Sequence, residues 1–434
     1  MSARAVAAIA VGLSLLAGWS FRPATPALAQ QPQAQQPQTQ QPQAQQPQPF
    51  AQFVEGVWPE AQKAGVSRAT FDNAFKGVTA DLTLPDLVLP GRTEKQVLGQ
   101  AEFVRPPQDY LNRDQLARLA VGGKVFMSRY LPWVEKIERE LGVERHIIMG
   151  IWGRETAYGG GKLPHYGIRV LATQAWTGRR KEMFRAELVL GLKMLQDGVV
   201  TVETMRSSWA GAQGLPQFMP SDYYKHAYDI DGDGRKDIWK SVPDALASAA
   251  HQLKSKGWKQ GVPWGFEVKL PDKVDCALEG PDDERPLADW AKMGVTRTGG
   301  QSFPEQLLGE TAYLMAPGGM HGPVFLVTEN FKVIRAYNTS DLYAVFVGHL
   351  ADRIAGAGDF VTPWRGIGQL PTSEIMETQE RLKARGFAVS VIDGKIGSNT
   401  RRQIGLYQRK SGIPVDCWPG VGTLARLRAP EGGR

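Results

Sequence analysis

A glutamate on an otherwise apolar helical face is the first candidate for chemistry in this sequence. The face is formed by residues at spacings i, i+3, i+4, i+7 and i+10, namely Ile148, Ile151, Trp152, Glu155 and Tyr158. Burial disfavours the charged form of a carboxyl group, and the three glycines after Tyr158 predict a helix end whose negative dipole acts in the same direction. Both effects would raise the pKa of Glu155, as a general acid requires. A solvated boundary residue, or half of a buried ion pair, is the alternative interpretation.

A second segment has the composition of a loop that contacts a ligand. It reads SSWAGAQGLPQFMP over residues 207–220, and its small residues would allow a ligand to approach the backbone closely. Gln217 offers an amide, and Phe218 offers a flat apolar face. Tight helix packing by small residues would explain the same composition, so both interpretations stay open.

An acidic loop, DIDGDGRKD, follows at residues 229–237. Its carboxylates at positions 1, 3, 5 and 9 and its glycine at position 6 have the spacing of an EF-hand calcium loop. The predicted metal ligands are Asp229, Asp231, Asp233 and the backbone carbonyl of Arg235, with Asp244 of the next helix as a further carboxylate. Asp244 would be needed because Lys240 replaces the glutamate expected at position 12. Calcium here would be structural, and a solvated loop of Asx turns is the alternative.

The segment RAYNTSDLY at residues 335–343 places one amide and two phenols at a turn before a helix. These side chains belong to Tyr337, Asn338 and Tyr343. An N-cap is the structural alternative for Asn338 or Ser340, because both residue types cap helices well.

Helical periodicity dominates the part of the chain that must position these residues. Apolar residues recur at helical spacing over residues 53–64, 131–141, 144–158, 184–196, 242–257 and 343–354. Strand-like alternation is scarce, and residues 324–327 and 331–334 are the best strand candidates. We therefore expect a mainly α chain up to about residue 356.

Composition divides the chain into five parts. Residues 1–29 have the charged start, apolar run and small-residue cleavage site of a secretory signal peptide, and residues 30–49 form a Gln/Pro repeat expected to be disordered. Residues 50–356 form the main globular domain, residues 357–371 are a Gly- and Pro-rich linker, and residues 372–430 form a small helical module. No later stretch reaches the ~18 apolar residues of a membrane span. A soluble protein outside the cytoplasm is expected.

Charge and cysteine content narrow the function classes. The formal net charge is +7, but the basic residues are dispersed, so no nucleic-acid partner is predicted. No CxxC or Cys/His cluster exists to bind zinc. The two cysteines, Cys276 and Cys417, are either an interdomain disulfide in an oxidising compartment or two free buried thiols.

Four motifs occur in a fixed order between about residues 50 and 356: GIWGRETAYG, SWAGAQGLPQFMP, the DIDGDG loop followed by SVPDALASAAHQL, and RAYNTSDLYA. Together they resemble the lytic murein transglycosylase B family of bacterial cell-wall enzymes. The tail, from IMETQERLKARGF to DGKIGSNTRRQIGLYQRKSGIPVD, resembles the common three-helix peptidoglycan-binding module. Two residues depart from these patterns. Gln213 stands where Met is common, and Cys417 replaces the Gly that often follows Asp in the module.

The resemblance implies a mainly α fold, with a lysozyme-like α+β catalytic domain, a helical N-terminal lobe and a small three-helix C-terminal peptidoglycan-binding domain. It implies a peptidoglycan lytic transglycosylase, a carbon–oxygen lyase that cleaves the β-1,4 bond between MurNAc and GlcNAc and leaves a 1,6-anhydro end. The family's lone catalytic glutamate corresponds to Glu155. Its glycan groove corresponds to Ser208, Gln217, Tyr337, Asn338 and Tyr343, and its calcium loop to the acidic loop described above.

The expected reaction uses Glu155 twice and needs no cofactor for catalysis. Glu155 first protonates the glycosidic oxygen and then removes the proton from the C6 hydroxyl, which attacks C1. The alternatives are a hydrolytic muramidase on the same fold and a non-catalytic peptidoglycan-binding scaffold. The expected partner is the peptidoglycan glycan strand. We expect a periplasmic monomer without stable membrane insertion, and the sequence leaves open whether it joins larger cell-wall machinery.

Overall fold

The computed structural model describes residues 49–89 and 105–430. The predicted signal peptide at 1–29 and nearly all of the predicted disordered segment at 30–49 lie outside the described residues. None of the described helices is long and apolar enough to cross a membrane.

Helices dominate the described part of the chain. In chain order they are α1 (Phe50–Glu55), α2 (Trp58–Lys63), α3 (Arg68–Phe75), α4 (Pro107–Tyr110), α5 (Arg113–Arg129), α6 (Leu131–Leu141), α7 (Arg145–Thr156), α8 (Gly167–Thr177), α9 (Lys181–Gln196), α10 (Pro220–His226), α11 (Val242–Ser255), α12 (Leu287–Lys292), α13 (Glu329–Arg335), α14 (Asp341–Ile354), α15 (Thr372–Ala384), α16 (Ser398–Lys410) and α17 (Val421–Arg428). The strands are β1 (His165–Tyr166), β2 (Arg206–Ser207), β3 (Gly265–Lys269), β4 (Arg285–Pro286), β5 (Thr296–Arg297), β6 (Thr311–Met315), β7 (Pro317–Met320) and β8 (Phe325–Thr328).

The N-terminal helices form a lobe on α8 and α9. The periodicity over residues 53–64 predicts one helix, but the chain forms two. Helix α1 is capped by Gly56, and α2 begins at Trp58 with Pro59 in its first turn. The residues that share this core include Phe53, Val57, Phe71, Leu171 and Leu188.

Helix α7 is buried on nearly every side and forms a hairpin with α6, as the sequence predicts. The end of α6 is set by Gly142, which adopts a left-handed φ of 71°. A glycine also allows α7 to approach α14 closely, because a Cβ at Gly150 would lie 2.8 Å from the carbonyl oxygen of Val347. The two helices share one core with α5, α6, α11 and α13. The position of α14 is therefore coupled tightly to that of α7.

A five-stranded antiparallel sheet, in the order β4-β6-β8-β3-β5, packs beside this core. The strand predicted at 324–327 is confirmed as β8, but the strand predicted at 331–334 is wrong, because those residues lie in α13. The side chain of Thr328 accepts a hydrogen bond from the backbone N–H of Asn330 at 3.3 Å and thereby starts the helix. A run of four residues is too short for periodicity to separate the two states.

The C-terminal module, α15 to α17, is docked on the sheet rather than separate from it. A disulfide joins Cys276 to Cys417, and Cys417 packs in the same core as the sheet residues. The interdomain disulfide, one of the two alternatives that the sequence left open, is the one present. At the same interface, a Cβ at Gly319 would lie 2.1 Å from the carbonyl oxygen of Asp416, so the backbones meet without an intervening side chain.

The predicted linker, residues 357–371, contains no helix or strand but is packed against the main domain. Trp364 lies against Gly322, where a Cβ would be 2.1 Å from the indole ring. Ile367 and Leu370 are 8% and 9% exposed. The connection therefore holds the module in place.

Candidate active site

Glu155 lies half-buried in the last turn of α7. The helix ends at Thr156, because Ala157 and Tyr158 adopt left-handed φ values of 47° and 61°. A residue other than glycine in this conformation costs about 1–3 kcal/mol of folding free energy. Backbone strain of this kind concentrates at functional sites. The end predicted from the three glycines therefore occurs slightly earlier, and it places Glu155 at the edge of the core.

Tyr343 is a hydrogen-bond partner of Glu155. Its hydroxyl donates to Oε1 of Glu155, and its side chain is 1% exposed in the first turn of α14. Burial, together with the Glu155 carboxylate, raises the pKa of Tyr343 well above its usual value. Tyr343 therefore stays protonated and donates throughout the physiological range. Ser340 is the N-cap of α14 and accepts from the backbone N–H of Tyr343 at 3.3 Å.

Tyr337 connects Tyr343 to the SSWAGAQGLPQFMP segment. The two phenol rings stack with their centroids 6.4 Å apart and an angle of 11° between planes. The Tyr337 hydroxyl donates to the carbonyl oxygen of Pro216 at 2.7 Å, and burial followed by the Glu155 carboxylate raises its pKa well above the usual value. Three separate sequence motifs therefore meet at Glu155. Asn338 lies half-buried beside them, in the turn between α13 and α14.

The predicted groove residues Ser208 and Gln217 lie in a tightly bonded loop. The Ser208 hydroxyl accepts from the N–H of Ala212 at 3.2 Å. Gln217 has a left-handed φ of 55°, and its amide donates to the carbonyl oxygen of Gly214 at 2.9 Å. These bonds fix the loop and leave both residues half-buried at its surface.

Phe218 requires a correction. The sequence suggests that its ring offers a flat face to a ligand, but the side chain is 1% exposed and packs 6.2 Å from the ring of Tyr337. It belongs to the core of the N-terminal lobe, where an apolar ring is stabilised by burial. Phe218 therefore packs against Tyr337 from the core of the N-terminal lobe. Gln213, the departure from the family pattern, is also buried, at 1% exposure.

Arg154 is a site residue that the sequence analysis missed. Its guanidinium lies 5.8 Å from the Tyr343 ring centroid, and its Nη2 donates to the hydroxyl of Tyr110 at 2.7 Å. Burial acts to lower the pKa of Arg154, but Tyr110 and Glu155 outweigh it and the pKa is raised. A fixed cation therefore stands beside the pair formed by Glu155 and Tyr343. Its place next to Glu155 in the sequence was the available signal.

The chemistry that this arrangement allows is proton transfer through one carboxyl group. Glu155 is partly exposed, is oriented by a phenol donor and lies at a strained helix end. A half-buried and oriented carboxyl group of this kind can donate a proton and take one back. The usual glycosidase design divides these tasks between two carboxyl groups.

The acidic loop brings together the four carboxylates that the sequence predicts. Oxygen atoms of Asp229, Asp231, Asp233 and Asp244 all lie within 4.8 Å of one another. Asp244 is fully buried in the first turn of α11 and accepts from the N–H groups of Ile230 and Asp237, each at 3.0 Å. Burial raises the pKa of Asp244, because a charged carboxylate is unfavourable away from water. A nearby cation would stabilise that charge. An all-oxygen set of this kind fits calcium.

Two other positions of the loop serve its folding. The backbone N–H of Arg235 donates to Oδ1 of Asp233 at 2.7 Å. The carboxylate of Asp237 accepts from the N–H groups of Trp239 and Lys240, each at 2.9 Å, and lies outside the four-carboxylate cluster.

Family comparisons match both parts of the chain. The family described as transglycosylase SLT domain matches residues 49–352, and the family described as putative peptidoglycan binding domain matches residues 371–427. A curated relative, the membrane-bound lytic murein transglycosylase B of Escherichia coli strain K12, is 31% identical over 238 residues. That match covers 54% of this chain and 63% of the relative, so the chain spans less than two thirds of the relative's length.

Solved structures agree with these matches. The crystal structure of SltB3 from Pseudomonas aeruginosa in complex with NAG-anhNAM-pentapeptide is 38% identical, with a TM-score of 0.79 over 88% of this chain and 100% of that chain. The Escherichia coli lytic transglycosylase Slt35 in complex with calcium is 25% identical, with a TM-score of 0.56 over 71% of this chain and 93% of that chain. The expected fold class is thereby confirmed: mainly α, with a lysozyme-like catalytic domain and a small C-terminal helical module.

Proposed function

This chain belongs to the transglycosylase SLT domain family, and from that premise we propose that it is a lytic transglycosylase of peptidoglycan. It cleaves the β-1,4 bond between MurNAc and GlcNAc without water and leaves a 1,6-anhydro-MurNAc end. The observation that carries this proposal is the hydrogen bond from Tyr343 to Glu155 at the strained end of α7. The likeness to a solved relative whose complex contains an anhydro sugar supports it.

Glu155 acts first as an acid and then as a base. Protonated Glu155 donates to the glycosidic oxygen, so the bond from that oxygen to C1 of MurNAc breaks and GlcNAc leaves with a hydroxyl group. The neighbouring N-acetyl group stabilises the cationic C1. The Glu155 carboxylate then takes the proton of the C6 hydroxyl, and the C6 oxygen forms a bond to C1. Glu155 ends the cycle protonated, and no water is consumed.

The side chains around Glu155 have distinct parts in this proposal. Tyr343 donates to the carboxylate and stabilises its charged form during the second half of the cycle. Tyr337 stacks on Tyr343 and holds it against the loop. Ser208, Gln217 and Asn338 face the glycan from the groove walls.

Product masses test this function against a hydrolytic muramidase. Digestion of purified sacculi by the wild-type protein is expected to release muropeptides that are lighter by one water molecule than hydrolysed ones, because C6 replaces water as the nucleophile. Mass spectrometry of the separated products measures this difference. Reducing-end MurNAc as the primary product would overturn the lyase proposal in favour of hydrolysis.

Export to the periplasm is part of the same proposal, since the substrate lies outside the cytoplasm. It is supported by the signal-like composition of residues 1–29 and by the disulfide, which forms in oxidising compartments. The protein would act there as a monomer on glycan strands.

A structural calcium ion in the acidic loop is a second part of the proposal. Asp229, Asp231, Asp233 and Asp244 would hold it together with the Arg235 carbonyl, in agreement with the calcium complex of the Slt35 relative. Calcium would screen four mutually repelling carboxylates and fix the start of α11.

Calcium is therefore expected to stabilise the wild-type fold and to have little effect on an Asp231→Asn variant. At a concentration one hundred times the Kd, a single site adds about 2.7 kcal/mol, measurable as a rise in Tm by scanning calorimetry. Asp282→Asn, which removes the same charge from an exposed position, is the matched control and should respond like the wild type. An equal response in Asp231→Asn, or none in the wild type, would contradict the site.

A further inference from the structure

We propose that Arg401, in the C-terminal module, is a positioning residue for Glu155 of the catalytic domain. The contact runs from Arg401 to Asp341 at the start of α14, and from α14 through Tyr343 to Glu155. This inference rests on the proposed function of Glu155 and adds to it a residue from the other domain.

Arg401 is itself held rigidly in the interface. It is 2% exposed, and its Nε lies 3.1 and 3.0 Å from the two carboxylate oxygens of Glu279, which is fully buried. Its Nη1 donates to the carbonyl oxygen of Ile396 at 2.6 Å. A buried ion pair with saturated hydrogen bonds has little freedom, because any movement would leave a charge unpaired in a medium of low dielectric constant.

The same guanidinium reaches the catalytic helix. Nη2 of Arg401 lies 3.4 Å from Oδ2 of Asp341, the first residue of α14. The other oxygen of Asp341 accepts from Nε of Arg335 at 2.7 Å. Arg335 is 46% exposed at its side chain and Arg401 only 3%, so Arg401 is the more firmly fixed of the two cations.

Asp341 lies close along the chain to Tyr343, the residue that contacts Glu155. Ser340, the residue before it, caps α14, and Tyr343, two residues after it, donates to Glu155. These residues share one helical turn, so a rotation or shift of that turn moves the Tyr343 hydroxyl. A misplacement of about 1 Å in a catalytic arrangement can cost about a hundredfold in rate.

A cavity between the two domains lies beside the contact between Arg401 and Asp341. It has a volume of about 300 Å³ and is lined by both domains, including Ser340 and Leu342 on one side and Asn399 and Thr400 on the other. Close packing therefore does not hold the first turn of α14 against the module along this gap. The contact between Arg401 and Asp341 bridges it.

Arg402 provides a matched control on the same helix. Its guanidinium pairs with the carboxylate of Asp283 and donates to the carbonyl oxygen of Glu279 at 3.2 Å, on the sheet side of the interface. It therefore tests attachment of the module without the contact to Asp341.

The test is a double-mutant cycle between Arg401→Gln and Asp341→Asn, measured on a short soluble glycan strand so that wall anchoring does not contribute. We expect each single variant to lower kcat about tenfold with little change in KM, and the double variant to be no slower than either single one. The fall of activity on the alkaline side of the pH profile should move to higher pH, since a weaker bond from Tyr343 raises the pKa of Glu155. Arg402→Gln should keep wild-type kcat.

Folding must be separated from positioning, because Arg401→Gln leaves Glu279 buried without its partner. The pair variant Glu279→Gln/Arg401→Gln removes both charges and, once shown to be folded by circular dichroism, should give the same loss of kcat. Wild-type kcat and pH profile in that folded variant, or additive losses in the cycle, would overturn the inference. Failure of the wild type to yield anhydro products would instead overturn the proposed function.

Discussion

The Glu155→Gln variant is expected to lose at least about a thousandfold in kcat for release of anhydromuropeptides from sacculi. Glutamine can neither donate a proton to the glycosidic oxygen nor accept one from the C6 hydroxyl, so both halves of the proposed cycle fail. The change is nearly isosteric, and Tyr343 can still donate to the amide oxygen, so binding and stability should change little. Chromatography of released products, with a measured Tm for each variant, provides the check.

Glu144→Gln is the matched control for this experiment. Glu144 is the residue just before α7, and its carboxylate accepts from Nε1 of Trp258 at 2.7 Å, away from the Tyr343 contact. The control should keep wild-type turnover. Full turnover by Glu155→Gln would favour the rival interpretation, in which the chain is a non-catalytic peptidoglycan-binding scaffold or another group performs the chemistry.

Tyr343→Phe tests the same pair through pH. The hydrogen bond from Tyr343 favours the charged form of Glu155, so its loss raises the Glu155 pKa. Because the proposed reaction begins with protonated Glu155, activity should fall as pH rises through that pKa. The alkaline-side fall should therefore move to higher pH in Tyr343→Phe, and an unchanged profile would mean that the bond does not set the pKa.

The Cys276→Ser/Cys417→Ser variant is expected to lose about 4 kcal/mol of folding free energy. The disulfide closes a loop across a sequence separation of 141 residues, and its removal frees that loop in the unfolded chain. Both sulfur atoms are fully buried in the interface, so the folded state also loses packed contacts. Unfolding in guanidinium chloride, followed by tryptophan fluorescence, measures the difference.

Reductant provides the control for the disulfide. Reduced wild-type protein should unfold at the same midpoint as the double variant, and the double variant should not respond to reductant. Equal stability of the oxidised wild type and the variant would mean that the packed interface alone holds the module in place.

The helical part of the fold was largely predictable, and the sheet was not. Helices such as α7 and α14 carry apolar residues over more than ten positions, which is enough for the helical period to be recognised. The strands are at most five residues long. A pattern of period two barely emerges at that length, and β6 is buried along nearly its whole length instead of alternating. For the same reason residues 331–334 were wrongly predicted as a strand.

In the candidate site, residues within local motifs were predictable from the sequence, and contacts between distant residues were not. Glu155, Asp229, Asp231 and Asp233 stand in local motifs whose spacing is visible in the sequence, and the predicted clustering of these aspartates with Asp244 is present in the structure. The contact between Tyr343 and Glu155 joins residues 188 positions apart, and the one between Arg401 and Asp341 joins residues 60 positions apart. No local pattern encodes such pairs. The burial of Phe218 also follows from tertiary packing, which composition cannot reveal.

The docked C-terminal module also determines how two binding events would combine. If a flexible linker joined the two domains, binding of the module to a glycan strand would hold the catalytic groove near that strand. The effective concentration of the groove would then depend on the length of the linker. Here the shared core and the disulfide between Cys276 and Cys417 replace that distribution with one fixed separation. Under the proposed function, the two domains would then bind one glycan strand together only under one condition. The distance along the strand from the unit bound by the module to the bond to be cleaved must equal the fixed distance between the module and the groove.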